Sequence, residues 1–277
     1  MRSLFIFASA SLCTALVIGS AGAQGGRPDT FMSHLATNRN DIKTHRSGET
    51  VVREVHTRAD SDRAGLVLVW AELPISSSLV VAGVGKYGPS YETFEQSVPR
   101  TSVAAVNGGF FGYDTKGKHM PLGLVIVDGQ TRNRQIRWTT GGILLKSADE
   151  IQLIPIRQKR PVIIEYAVQS KPLLVENGAV AIRSHDTRFN RSAIALTRRR
   201  SVVVAGAFDS FGRAATLKEF ATFLAGLRTI DNLEIDTALA MDGGPGAQLY
   251  FPQSTRHYGE QGNNYVPNLV YFSPRGK

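Results

Sequence analysis

After residue 48 the chain is cut into short apolar runs rich in β-branched residues, each stopped by glycine, proline, serine or an Asp-Gly or Asn-Gly pair. VVREVHT, AGLVLVWA, LVVAGV and SVAAVNGG open the series. PLGLVIV, GILLK, IQLIPI, PLLVEN, SAIALT, SVVVAGAF, DTALAMD, AQLYF and NLVYF continue it. Runs of this length and composition satisfy their backbone groups by pairing side by side, so the chain is expected to build mostly sheet. Asp128-Gly129 and Asn177-Gly178 supply the residue types that two-residue hairpins require.

One segment carries a clear helical period. In ATLKEFATFLAGLR, Thr216 and Glu219 have the spacing of a capping box, and Leu217, Phe220, Phe223, Leu224 and Leu227 recur on one face. That stripe reads as core. SVVVAGAF, this helix and DTALAMD are expected to form a crossover with parallel strands, which puts the loop after Met241 at a strand's C-terminal end, where open sheets receive ligands. The expected class is α+β: a β-rich mixed sheet with hairpins and a few flanking helices, in a single domain over residues 49–277.

The first 23 residues read as a signal peptide: Arg2, an apolar stretch from Leu4 to Ile18, and Ala21-Gly22-Ala23 before a cleavage point at Gln24. Residues 24–48 are polar and weakly patterned and read as a flexible lead-in. The one cysteine, Cys13, falls inside the leader, so disulfides, Cys-zinc sites and thiol nucleophiles are excluded from the mature chain. The expected location is periplasmic or secreted, without a membrane anchor once the leader is removed. The net charge of +9 includes Arg2, and the remainder stays basic. Outside the cytoplasm that favours an anionic glycan or sugar phosphodiester as partner. Basic helices or aromatics interleaved with arginine, the usual marks of nucleic-acid binding, are missing. The sequence does not specify an oligomeric state.

Two of the strand runs end in the same way. SVAAV runs into Asn107-Gly108-Gly109, followed by Phe110, and DTALAM runs into Asp242-Gly243-Gly244. A tight turn explains either one alone, since glycine is the default residue for unusual backbone. Two such interruptions suggest two bare backbone segments lining one pocket, with amide groups open to phosphate or sugar oxygens. A glycine-flanked carboxylate at a strand end can approach an anomeric carbon without crowding, which makes Asp242 the first candidate for nucleophile or base. Asp114 and His119 are candidates for acid or proton shuttle, against the simpler reading of solvated loop positions. Oxygen ligands from Asp242, Asn107 or Asp114 would suit calcium or magnesium. No dense Asp/Asn loop and no zinc spacing among the six histidines supports a metal, so none is assigned and no cofactor is certain.

Seven stretches, VNGGFF, PLGLVIVDG, KPLLVENG, RSAIALT, VVVAGAFD, TLKEFATFLAGL and TALAMDGGPGAQLYF, occur in the order and approximate spacing of the phosphodiester glycosidase family. The chain resembles that family from about residue 64 to its end. The resemblance implies hydrolysis of a sugar joined through its anomeric oxygen to a phosphodiester, in envelope or extracellular glycans, with release of free sugar and a phosphomonoester. It also marks Arg191, at the start of RSAIALT, as a phosphate-binding residue, because a guanidinium can grip two phosphate oxygens in a fork. His185, Asp186 and Arg188 crowd just upstream and either join it or form a polar surface loop. One departure is visible: Pro245-Gly246-Ala247 carries no hydroxyl where the family commonly has Ser or Thr.

The runs Arg198-Arg199-Arg200 and RQKR at 157–160 read as solvated turns. Two other functions fit the same residues: a non-catalytic glycan-binding protein of this fold, and a phosphodiesterase that cleaves the P–O bond.

Overall fold

A computed structural model describes residues 42–57, 65–74, 76–82, 93–117, 119–148, 150–184, 186–260 and 267–274. The expected signal peptide, most of the expected lead-in, and His185 lie outside the described residues. The chain begins with β1 (Lys43–Ser47), β2 (Thr50–His56), β3 (Val67–Glu72), β4 (Ser77–Ala82) and β5 (Ala104–Asn107). Next come β6 (Phe111–Tyr113), β7 (His119–Pro121), β8 (Val125–Val127), β9 (Gln130–Asn133), β10 (Gly142–Ser147) and β11 (Glu150–Pro155). They are followed by β12 (Tyr166–Ser170), β13 (Leu173–Glu176), β14 (Ala179–Val180), β15 (Arg191–Thr197) and β16 (Val202–Phe208). The helix α1 (Leu217–Asp231) leads into β17 (Ile235–Ala240), β18 (Gln248–Phe251), β19 (Arg256–Gly259) and β20 (Leu269–Pro274).

An eight-stranded sheet runs β1-β2-β3-β16-β15-β17-β13-β14. Two five-stranded sheets run β11-β10-β12-β8-β9 and β19-β18-β5-β20-β4, and β6 pairs with β7. Every one of these strand pairs is antiparallel. The mixed sheet expected from the crossover is therefore corrected. β16 and β17 do point the same way, but β15 lies between them and is antiparallel to both. The few flanking helices reduce to one α-helix among the described residues, with short 3₁₀ turns at Gly244–Gly246 and Pro252–Ser254.

Part of the lead-in also needs correction. Lys43–Ser47 is no loose segment: it forms β1, the edge strand beside β2. Its polar character suits an edge, where one side of the backbone has no neighbour and most side chains meet water.

β15 and β16 are buried along their whole length because both faces of the large sheet are covered. On one face Ile194, Val204 and Leu239 meet Val106, Leu249, Val270 and Phe272 of the sheet containing β5. On the other face the inward residues are small, Ala193, Ala195, Ala205 and Ala238, and Phe220, Phe223, Leu224 and Leu227 of α1 fill the space above them. Alternation along the central strands thus sends Ile194, Val204 and Leu239 to the sheet interface and mostly alanines, with Val203, to the helix. The predicted capping box is present, with the Thr216 hydroxyl accepting from the Glu219 amide and the Glu219 carboxylate accepting from the Thr216 amide.

Both predicted hairpins form. Asp128 and Gly129 have φ of 50° and 74°, Asn177 and Gly178 have φ of 52° and 77°, and each pair links adjacent antiparallel strands.

Candidate active site

The two glycine-bearing interruptions meet. β5 and β17 belong to different sheets, and both end where those sheets face one another. The Asp242 amide donates to the Gly108 carbonyl at 3.0 Å. The Asn107 side chain completes the junction: its Nδ2 donates to the Asp242 carbonyl at 2.8 Å, and its Oδ1 accepts from the Ser192 hydroxyl at 2.6 Å and the Gln248 amide at 3.0 Å. One buried amide therefore fastens β5, β15, β18 and the Asp242 loop together. Asn107 is 1% exposed. The substrate-facing role expected of its side chain is corrected, because its polar atoms are already occupied inside the protein.

Gly108 and Gly109 are glycine for packing reasons. A Cβ at Gly108 would stand 1.7 Å from Asn268 Oδ1, and one at Gly109 would stand 2.3 Å from the Gln169 carbonyl. Their amides are also engaged: Gly108 donates to the Asn268 carbonyl at 2.8 Å and Gly109 to Asn268 Oδ1 at 2.9 Å. Open amides for sugar oxygens, expected at this pair, are thus not present. On the other loop, Gly243 sits against Asn190 and Arg191, and the Gly244 amide donates to the Asn190 carbonyl at 2.9 Å. Gly244 has φ of +67°, a conformation that side chains rarely adopt.

What this framework holds out is the Asp242 carboxylate, which is neither fully buried nor free. Burial pushes its pKa up to about 6, and a hydrogen bond from the Gly243 amide pulls partly the other way. Among the described residues no charged neighbour contributes to the shift. A carboxylate with raised proton affinity near neutral pH is suited to take a proton from water.

Arg191 does not present the fork expected of it. Its Nε donates to the Ala215 carbonyl at 3.0 Å, and its Nη2 to Asp186 Oδ2 at 2.6 Å and the Thr187 carbonyl at 2.8 Å. Desolvation lowers its pKa, with Asp186 as the main opposing influence. Only Nη1 remains without a partner among the described residues, and it lies next to Gly243, 3.2 Å from where a Cβ there would be. Arg191 thus supports the Asp242 loop from behind. Asp186 also accepts from the Leu217 amide, and Arg188 pairs with Glu219, so the segment upstream of Arg191 clamps the start of α1.

Asp114 and His119 sit on the β6–β7 hairpin that leaves the Gly109 end of the junction. Asp114 accepts from the Lys116 amide at 2.8 Å as a turn-forming residue, and the His119 ring packs against Phe111 and Tyr113. Asp242 meets neither of them through a hydrogen bond or ion pair given by the structure.

Phe110 has a setting that sequence reasoning missed. Its ring meets Trp138 edge-on at 6.1 Å, and the Lys171 ammonium lies 5.0 Å from the Trp138 ring and 5.8 Å from that of Phe110. Residues 28 and more apart in sequence give no local signal of such a cluster.

A cleft of about 650 Å³ runs beside the Asp242 loop, lined by Phe189, Asn190, Asp209, Phe211, Gly244 and Pro245. A second cleft, of about 690 Å³, lies at the far ends of β15 and β17, around Thr197, Asp236 and Thr237, away from Asp242. Arg198, Arg199 and Arg200 form the exposed β15–β16 turn at that far end, as expected. Among the described residues no group of three or more His, Cys, Asp or Glu side chains gathers as a metal site.

A family model for phosphodiester glycosidases (NAGPA) matches residues 100–273, from the turn before β5 into β20. The chain belongs to the phosphodiester glycosidase family. Its fold is similar to that of a hypothetical protein from Synechocystis, at TM-score 0.56 and 14% identity, covering 83% of this chain and 63% of the other. It is similar also to the zebrafish N-acetylglucosamine-1-phosphodiester alpha-N-acetylglucosaminidase catalytic domain auto-inhibited by pro-peptide, at TM-score 0.58 and 16% identity, covering 85% of this chain and 88% of the other. The chain thus spans less than two thirds of the Synechocystis protein. No curated protein sequence matches it.

Proposed function

We propose that the protein is a hydrolase of glycosyl phosphodiesters acting outside the cytoplasm, in envelope or extracellular glycans, with Asp242 as general base. The observation that carries this reading is the Asp242 carboxylate itself: fixed through its own backbone by Asn107 and Gly108, partly exposed, and raised to a pKa of about 6.

In the proposed reaction Asp242 takes a proton from a water molecule as the water oxygen attacks the anomeric carbon. The bond between that carbon and the phosphoryl oxygen breaks, and its electron pair leaves with the phosphomonoester. A phosphomonoester is a stable anion, so the proposed reaction requires no strong acid opposite Asp242. The basic chain assists encounter with an anionic substrate.

The test is hydrolysis of a panel of sugar-1-phosphodiesters by the wild-type protein and by Asp242→Asn, with free sugar and phosphomonoester both quantified. Equal product release for one substrate, reduced at least 100-fold in the variant, is expected. Equal rates in the two proteins would remove Asp242 from the mechanism, and sugar phosphate plus alcohol as products would identify a phosphodiesterase.

A further inference from the structure

We infer that Lys171, seated on Trp138 and Phe110, is the cation that binds the phosphoryl group of the substrate, in place of Arg191. This rests on the reading of the substrate as a phosphodiester, and it names the residue that recognises the anion.

The placement follows from strand register. β13 lies antiparallel to β17 with Leu173 opposite Leu239, and the Ala240 amide donates to the Pro172 carbonyl at 3.0 Å. Lys171 therefore stands level with Met241, one residue before Asp242. From the other direction, Gly108 bonds the Asp242 amide, Gly109 packs its bare α-carbon on the Gln169 carbonyl, and Phe110 follows alongside Lys171. Two chain segments thus converge on Lys171, whose backbone is level with the start of the Asp242 loop and whose ammonium sits on Phe110 and Trp138.

The chemistry of the seat points to an anion. Aromatic faces attract an ammonium electrostatically but accept little hydrogen bonding, so the rings position Lys171 while leaving its N–H donors available. Lys171 has no carboxylate partner among the described residues. The other cation near the loop, Arg191, is already paired with Asp186 at 2.6 Å. Lys171 is thus a cation beside the loop without a carboxylate partner among the described residues, and lysine binds phosphate well as a point charge.

The experiment titrates the protein with methyl phosphate, a probe carrying the anion and no sugar. The reporter is tryptophan emission: Trp70 is fully buried under α1, which leaves Trp138 to sense the site. Saturable change is expected in the wild type. Binding should weaken at least tenfold in Lys171→Met, which keeps an apolar stem, and should stay within about threefold in Lys171→Arg, which keeps the charge. Calorimetric titration of the same three proteins guards against a change in Trp138 emission caused by the substitution itself. No saturable binding by the wild type, or equal affinity in wild type and Lys171→Met, would overturn the inference. Because the readout needs no turnover, methyl phosphate binding lost in Lys171→Met would support it even if no phosphodiester were hydrolysed. Sugar-phosphodiester hydrolysis with unchanged KM in Lys171→Met would reject it while leaving the proposed reaction intact.

Discussion

The Asn107 side chain donates to the main-chain carbonyl of Asp242 at 2.8 Å, across 135 residues of sequence. This one bond joins the ends of strands from two sheets and sets the direction in which the Asp242 carboxylate leaves the framework. Replacing Asn107 by Ala would leave the Gln248 amide, the Ser192 hydroxyl and the Asp242 carbonyl short of a partner in a buried site. The expected cost is about 3 kcal/mol of stability, together with a large loss of activity. Chemical denaturation would measure the first effect and initial rates the second. A stability change below about 0.5 kcal/mol would contradict the clamp.

Asp242 couples activity to stability with opposite signs. Its folded pKa of about 6 lies above the ordinary carboxylate value of 3.8, so between those two pH values the native state binds more protons than the unfolded chain. Its contribution to stability is therefore favourable at low pH and declines as pH rises through that window. Asp242→Asn, which cannot ionise, is expected to be more stable than wild type at pH 7 by about 2 kcal/mol and to lose that advantage below pH 4. Thermal melts of both proteins across the range would show it. With Asp242 as the proposed base, kcat/KM of the wild-type protein should rise as pH increases through about 6, where its carboxyl loses its proton.

Arg191 is expected to behave as a supporting residue. Arg191→Lys keeps a charge for Asp186 but cannot reproduce the separate Nε and Nη2 bonds to Ala215, Thr187 and Asp186. A loss of about 2 kcal/mol in stability is expected, with methyl phosphate affinity changed less than in Lys171→Met. Arg191→Met should be worse, since it leaves Asp186 without its buried partner.

The glycines separate by cause. Gly108→Ala drives a Cβ into Asn268 and is expected to destabilise by about 3 kcal/mol. Gly117→Ala, on the β6–β7 turn, meets nothing within 4 Å, and only its φ of +75° resists, at about 1 kcal/mol. Equilibrium unfolding of the two variants should keep that order.

Local pattern was enough for much of the fold and marked the two glycine-bearing loops that meet in the structure. The hairpins at Asp128-Gly129 and Asn177-Gly178, and the Thr216–Glu219 capping box, rest on neighbouring residues and formed as expected. Strand order is different in kind. Chain adjacency suggested that β16 and β17 pair through α1, but β15, the hairpin partner of β16, lies between them and pairs with both. The glycine pairs marked the junction correctly but not its use: only the positions of Asn268 and Gln169 show that Gly108 and Gly109 serve close packing. The same limit applies to the cations. Arg191 stood in a recognisable motif, yet its fork is occupied by Asp186, whereas Lys171 acquires its aromatic seat from Phe110 and Trp138 through tertiary contact alone.

The most direct test of the central claim is to run the hydrolysis in oxygen-18 water and locate the label by mass spectrometry. Attack at the anomeric carbon predicts one labelled oxygen in the released sugar and none in the phosphomonoester. Label in the phosphate would contradict it.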